Sequence, residues 1–242
     1  MISSFAVQLR DRFYKSDEHP YRIFERHVAS LIRPSTGVLL DAGCGRTTPV
    51  LQKFRGRVAR LIGVELVEFT DVPADIEVHN ADLARLPLPD SSVDLIMSRS
   101  VFEHLTDPQA VYAELARVLR PGGQIVFLTA NFWDYGTQVA RLVPNRFHAK
   151  VVRAVEGREE EDTFPTAYKT NTRADILRLA AQAHLKVERI DYLSQYPNYL
   201  MFSGILFAIG MLYEKLINRF DVFRGLRGWV MVTLSKPAKS PG

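Results

Sequence analysis

The residues in this 242-residue chain best suited to chemistry are three carboxylates, each closing a short apolar run, and two glycines beside the first of them. Val38, Leu39 and Leu40 run into Asp41, followed by Ala42, Gly43, Cys44 and Gly45. Such a run reads as a buried parallel strand feeding a tight turn, where missing side chains let the backbone meet a ligand. Leu61, Ile62, Gly63 and Val64 end at Glu65, about 20 residues beyond the glycines, where a doubly wound fold places the carboxylate that holds ribose hydroxyls. Residues 76–80 lead into Ala81, Asp82 and Leu83, and Asp82 can accept a hydrogen bond from an adenine amino group. Together these features describe a nucleotide-type site.

The glycines alone do not say which nucleotide. A dinucleotide fingerprint needs a third glycine at Thr48, and the tighter D-x-G-x-G-x-G pattern needs one at Thr47. A pyrophosphate also wants bare amides at a helix N-terminus, and a carboxylate at the mouth of the turn, Asp41, opposes it.

The chain resembles the class I S-adenosylmethionine-dependent methyltransferases, and within them the type 11 group. The matching residues are LLDAGCG at 39–45, GVEL at 63–66, NADLARLPLPDSSVDLIMS at 80–98, FEHLTDP at 102–108 and LARVLRPGGQIVFLT at 115–129. Their order and spacing are more specific than any one of them. The resemblance implies a Rossmann-like, doubly wound α/β fold with a seven-stranded, mostly parallel sheet and an antiparallel last strand. It implies S-adenosyl-L-methionine as cofactor, with Asp41, Ala42, Gly43 and Gly45 at its methionine part, Glu65 and Leu66 at the ribose, Asp82 and Leu83 at the adenine, and Ser98 closing the site. Thr47 stands where the family pattern has its last glycine.

Periodicity and punctuation supply the elements that would position these residues. Asp107 and Pro108 read as N-cap and first helical position, Tyr112, Leu115, Ala116 and Leu119 follow at helical spacing, and Pro121, Gly122 and Gly123 stop the helix. Residues 124–129 read as the next strand. Thr172 with Asp175 makes a capping-box-like start to a helix carrying Ile176, Leu179, Ala180 and Ala183, and a strand over 187–193 follows. Residues 228–234 suit the antiparallel final strand, giving an open sheet with helices on both faces.

The whole reads as one domain over 1–242, with its cofactor-binding core at 35–130. A chain of this length can bury a full core, and its formal net charge of +4 is too mild to argue for nucleic acid. Cys44 is the one cysteine, which excludes an internal disulfide and favours small packing over nucleophilic chemistry. The expected compartment is the cytoplasm, since the first residues, MISSFAVQLRDRFYKS, carry early charge and no long apolar stretch.

Three segments outside that core should select the acceptor. Residues 1–34 read as a helical cover, with Phe24, Val28, Leu31 and Ile32 on one face, and Tyr14 and Tyr21 as lining candidates. Residues 131–171 read as a substrate lid, because connections this long are usually functional. Trp133, Tyr135, His148, Phe164 and Tyr168 are its candidate wall residues, and the acidic run 159–162 reads as a solvated face. Residues 194–226 read as a helical insertion whose 199–213 stretch, YLMFSGILFAIGMLY, is apolar all round and followed by Lys215, Arg219, Arg224 and Arg227. That stretch is shorter than the roughly 18 residues needed to span a bilayer. Burial against the domain or a second subunit, a lid over a hydrophobic acceptor, and peripheral docking on a membrane all remain open for it.

Methyl transfer from a sulfonium asks mainly for alignment and exclusion of water. If a general base is needed, His104 is the candidate, an imidazole placed just beyond the strand end at Ser98. Glu103 beside it reads as a group that orients a neighbour or caps backbone amides. The pair also resembles the E-x-x-E-H metal motif of quinone-precursor O-methyltransferases, but Ser100 replaces its first carboxylate, so no metal is expected. The expectation is therefore an enzyme methylating a small or lipid-like acceptor. Two alternatives stand beside it: an NAD-linked dehydrogenase, and a non-catalytic module that recruits a partner or membrane through 199–213.

Overall fold

The computed structural model describes residues 2–142 and 164–238. Its framework is a seven-stranded sheet in the order β3-β2-β1-β4-β5-β7-β6, built from β1 (Val38–Ala42), β2 (Arg60–Glu65), β3 (Glu77–Asn80), β4 (Val93–Arg99), β5 (Leu119–Ala130), β6 (Lys186–Leu193) and β7 (Trp229–Ser235). β1 through β5 pair in parallel, and the last strand, β7, is antiparallel. The expected Rossmann-like α/β class is what the chain adopts. β1 is buried along its whole length and β2 over Leu61, Ile62, Gly63 and Val64, which is why both read as continuous apolar runs rather than as alternating ones.

The chain divides into two compact units. One comprises residues 24–129, 167–191 and 231–242 and carries most of the sheet. In it, α2 (Pro20–Leu31) buries Phe24 and Val28 completely. α3 (Pro108–Val118) starts as its sequence dictates, with the Asp107 side chain accepting from the Ala110 amide at 3.1 Å and Pro108 in the first turn. α5 (Arg173–Gln182) is capped by Thr172, whose hydroxyl accepts from the Asp175 amide at 3.2 Å.

β5 departs from expectation. It begins at Leu119, directly after α3, and not at residue 124. Leu119 pairs with Val93 and Gln124 with Leu95, so residues 120–123 bulge out of the ladder. Gly122 adopts a left-handed φ of 80° there, its amide donates to the Lys236 carbonyl at 2.8 Å, and the Gly123 carbonyl accepts from the Lys236 amide at 3.0 Å. The Lys236 ammonium then donates to the Ala116 and Leu119 carbonyls, closing the C-terminus of α3.

The second unit gathers residues 1–23, 130–166 and 192–230, largely the three segments singled out for acceptor selection. Its described elements are α1 (Ser4–Phe13), α4 (Tyr135–Leu142) and α6 (Gly204–Arg219). Ala6, Met201 and Phe207 form its small core, with Val7, Leu9, Tyr14 and Tyr196 packed around them. His148 and the 159–162 run lie outside the described residues.

On β2, Gly63 lies beneath the loop that follows β1. A Cβ there would sit 2.7 Å from the Cys44 sulfur and 3.3 Å from the Thr48 methyl. Gly63→Ala is expected to destabilise the protein by roughly 1–3 kcal/mol through overpacking, and Cys44→Ala added to it to lose less than the sum of the two single variants. Urea unfolding of the four chains measures this, and strictly additive losses would contradict the contact.

Candidate functional site

The candidate residues lie at the carboxyl edge of β1, β2 and β3. Asp41 pairs with Gly63 in register and Glu65 with Asn80, so the ends of three neighbouring parallel strands bring Asp41, Glu65 and the Asp82 that follows β3 to one edge. Ligands in open α/β sheets bind there, outside the carboxyl ends of the strands.

The loop after β1 is built to leave its backbone bare. Gly43 and Gly45 take φ of 83° and 73°, and the Gly43 and Cys44 amides both donate to the Val64 carbonyl, at 2.9 and 3.1 Å. A side chain at Gly43 would overlap Val101, whereas a Cβ at Gly45 would meet nothing nearer than Pro49 at 4.0 Å. The backbone at Gly45 therefore faces open space, as approach by a ligand requires. Thr48, where a dinucleotide fingerprint needs glycine, is itself left-handed at 51° and fully buried. A β-branched residue there is strained, and that strain is what Thr48 in place of glycine introduces.

Asp41 is 3% exposed, and burial pushes its carboxyl up to about 7, with Arg99 opposing and Glu65 adding to the rise. Arg99 in turn sits 3.2 Å from the Glu25 carboxylate, which also pairs with Lys53 at 2.5 Å. This alternating chain of charges from α2 to the loop was absent from the sequence reading. Glu65 uses both oxygens to accept loop amides, Oε2 from Gly45 at 2.9 Å and Oε1 from Leu66 at 2.8 Å. It thus ties β2 to the glycine loop. Asp82 is exposed in a turn, its Oδ1 accepting from the Ala84 amide at 2.9 Å, with Leu83 buried beside it. Ser98 is fully buried and donates to the Ala42 carbonyl at 2.6 Å, so its hydroxyl fastens β4 to β1. Cys44 is buried, and that burial, with Asp41 and Glu65 close by, pushes its thiol well above the ordinary range, the opposite of what a nucleophile needs.

Beyond β4, a 3₁₀ turn spans Phe102–His104. The Glu103 carboxylate accepts from the Thr129 hydroxyl at 2.6 Å, and that hydroxyl accepts from Asn171 at 2.8 Å. The Glu103 carbonyl takes the amides of Ala167 and Tyr168. These bonds clamp the turn that presents His104, whose own amide donates to Val101 at 2.9 Å. Among the described residues no group of three or more His, Cys, Asp or Glu side chains is arranged to hold a metal ion.

Of the proposed wall residues, Trp133, Tyr135 and Phe164 fall in the second unit and Tyr168 in the first. The second unit also holds a polar cluster that the sequence reading missed. Glu214, 4% exposed on the buried face of α6, is raised to about 7 by burial, and its Oε2 has no hydrogen-bond partner among the described residues. Asp134, raised to about 6 by burial, accepts from the Thr137 amide at the start of α4. Their charges, together with burial, push the Tyr135 and Tyr213 hydroxyls upward, and the two rings meet edge to face at 5.3 Å. A lone acid placed just after a long apolar run was the available signal.

Comparison with known proteins finds likeness over the segment that carries these residues. Residues 40–127 match the model of a methyltransferase domain family. A protein of Mycolicibacterium smegmatis named as an S-adenosylmethionine-dependent methyltransferase is 34% identical over 140 residues, covering 52% of this chain and 53% of the relative. Malonyl-[acyl-carrier protein] O-methyltransferase of Serratia marcescens is 38% identical over 96 residues, covering 38% and 37% respectively. The chain thus spans about half or less of the length of these curated relatives. The solved structure of a geranyl diphosphate methyltransferase in complex with S-adenosylmethionine superposes with a TM-score of 0.55 at 17% identity, over 96% of this chain and 90% of that one, a likeness of fold. Residues 40–127 are thus similar to a methyltransferase domain, and these likenesses support a class I S-adenosylmethionine-dependent methyltransferase of the type 11 group with S-adenosyl-L-methionine as cofactor.

Glu65→Ala removes a carboxylate from the end of β2 and also unties Gly45. It is expected to weaken S-adenosylhomocysteine binding by about 1.5–3 kcal/mol, read by calorimetry. Unchanged affinity would remove Glu65 from the site.

Proposed function

We propose that the protein transfers the methyl group of S-adenosylmethionine to a small or lipid-like acceptor, at oxygen, nitrogen or carbon, by in-line displacement. The observation that carries this reading is the buried Asp41 beside the bare glycine loop, with Glu65 and Asp82 on the same strand edge. A buried carboxyl suits a cationic ligand and disfavours a pyrophosphate, and the left-handed threonine stands where a dinucleotide loop needs its third glycine. Both features speak against the NAD-linked alternative.

In this proposal Asp41, Ala42, Gly43 and Gly45 hold the methionine part, Glu65 and Leu66 the ribose, and Asp82 with Leu83 the adenine. Ser98 supports the loop from beneath through Ala42. When bound, S-adenosylmethionine supplies a methyl carbon already activated by the sulfonium. The protein's own share is then alignment and exclusion of water, a contribution on the order of 7–11 kcal/mol. His104, presented by the clamped turn after β4, takes a proton from an acceptor that holds one tightly. Selection of the acceptor lies with segments 1–34, 131–171 and 194–226. The names of the relatives, which act on a malonylated carrier protein and on geranyl diphosphate, support an acceptor of small or lipid-like type. The cytoplasm suits a chain with one unpaired cysteine.

The test incubates the full chain with methyl-labelled S-adenosylmethionine and extracted small molecules and lipids. Label is expected to pass to an acceptor, with His104→Ala slowing transfer by about 10²–10⁴-fold at unchanged S-adenosylhomocysteine affinity. Cofactor binding without consumption would instead identify a non-catalytic module, and binding of NAD alone would refute the assignment.

A further inference from the structure

The second unit exposes a series of large apolar side chains. α6 has two apolar faces. Phe207, Met211 and Ile217 point inward with Gly210 and Glu214, whereas Ile205, Ile209, Leu212 and Leu216 lie outside, exposed by 74, 58, 64 and 52%. The outer four recur at i, i+4, i+7 and i+11, one continuous stripe of a 3.6-residue helix.

Neighbouring elements extend the stripe. α1 packs along α6, with Phe5 filling the space above Gly204, and leaves Phe5 and Phe13 half exposed. After α6, a 3₁₀ segment, Asp221–Leu226, turns out Val222 at 83% exposure and Phe223 at 40%. Clusters of exposed apolar side chains on a rim of polar residues mark protein or membrane contact sites.

The rim of this surface is cationic. The Lys215 ammonium lies 4.4 Å over the Phe13 ring, with Arg12 5.6 Å from the same ring and Arg219 5.7 Å from Phe220. Apolar bodies capped by positive heads are the chemistry of a helix lying at a lipid–water interface. The nearby carboxylates are already engaged: Asp221 with Arg224 and Arg227, and Asp11 with Arg10. Pairing of two copies through this face would bring two cationic rims together, whereas an anionic bilayer complements the charge.

We propose that the outer face of α6, extended by α1 and residues 221–226, docks the protein peripherally on an anionic membrane surface. Among the described residues no helix is long and apolar enough to cross a membrane, so the contact is one of lying on the surface. This inference is independent of methyl transfer, because docking requires no turnover.

Flotation of the full chain through a density gradient tests it, using vesicles of phosphatidylcholine alone or with about one third phosphatidylglycerol. Wild type is expected to float with the anionic vesicles, weakly with neutral ones, and less as salt rises. Ile209→Glu with Leu212→Glu is expected to lower the bound fraction at least about tenfold, and Lys215→Gln with Arg219→Gln to abolish the preference for anionic lipid, both with wild-type S-adenosylhomocysteine affinity. Absence of flotation, or flotation unaffected by these changes, would overturn the proposal. So would a dimer in light scattering that dissociates in the glutamate variant while wild type ignores vesicles, which assigns the face to a second copy.

Discussion

The structure depends on a carboxylate kept where water would not leave it. Asp41 is carried into the interior by β1, a strand apolar enough to be buried on both faces, and parallel pairing with β2 and β4 leaves the residue no route outward. Isolated burial of a charge is costly, and the protein answers in two ways. It raises the carboxyl to about 7, and it sets Arg99 close enough to oppose the rise. Arg99 is itself held by Glu25, and Glu25 by Lys53. A cationic ligand would complete this arrangement, whereas an anionic one would meet it with repulsion. That asymmetry, more than the glycines, separates this loop from a dinucleotide loop on a similar sheet.

Much of the architecture was legible because local signals agreed with one another. Asp107 with Pro108 and Thr172 with Asp175 announced helices that the structure starts at those residues. The run at Val38, Leu39 and Leu40 and the one ending at Glu65 are strands because β-forming apolar residues there are followed at once by turn chemistry. The error at β5 has a physical source. Pro121, Gly122 and Gly123 are ordinary stop signals, and only a pairing with Lys236, 113 residues from Gly123, turns them into a bulge within a strand. Glu25 and Arg99 escaped notice for the same reason, since 74 residues separate them.

The stretch at 199–213 shows a different limit of sequence reading. A segment that is apolar all round has no amphipathic signature, so pattern alone leaves its burial undecided. The fold divides it: Phe207 and Met211 go inward, and Ile205, Ile209 and Leu212 do not. Glu214 makes the inner face less simple than its neighbours suggest, with a carboxyl raised to about 7 by burial close to Tyr135 and Tyr213. The strand edge that carries Asp41 and the apolar helix thus follow opposite designs, charge drawn inward at one and hydrophobic surface turned outward at the other.

The central claim, that a buried Asp41 receives a cationic donor, is tested most directly by proton linkage. A cation favours the ionised carboxyl and lowers its pKa, so binding at or below about pH 7 must release a proton, and affinity must rise with pH until the carboxyl is already charged. Calorimetry of S-adenosylmethionine binding, from about pH 6 to about pH 8 in buffers of different ionisation enthalpy, measures both. The account predicts proton release that fades above about pH 7 and that Asp41→Asn diminishes, leaving only what the cofactor's own amino group contributes. Equal proton release by wild type and Asp41→Asn across that range, or tighter binding at low pH, would contradict it.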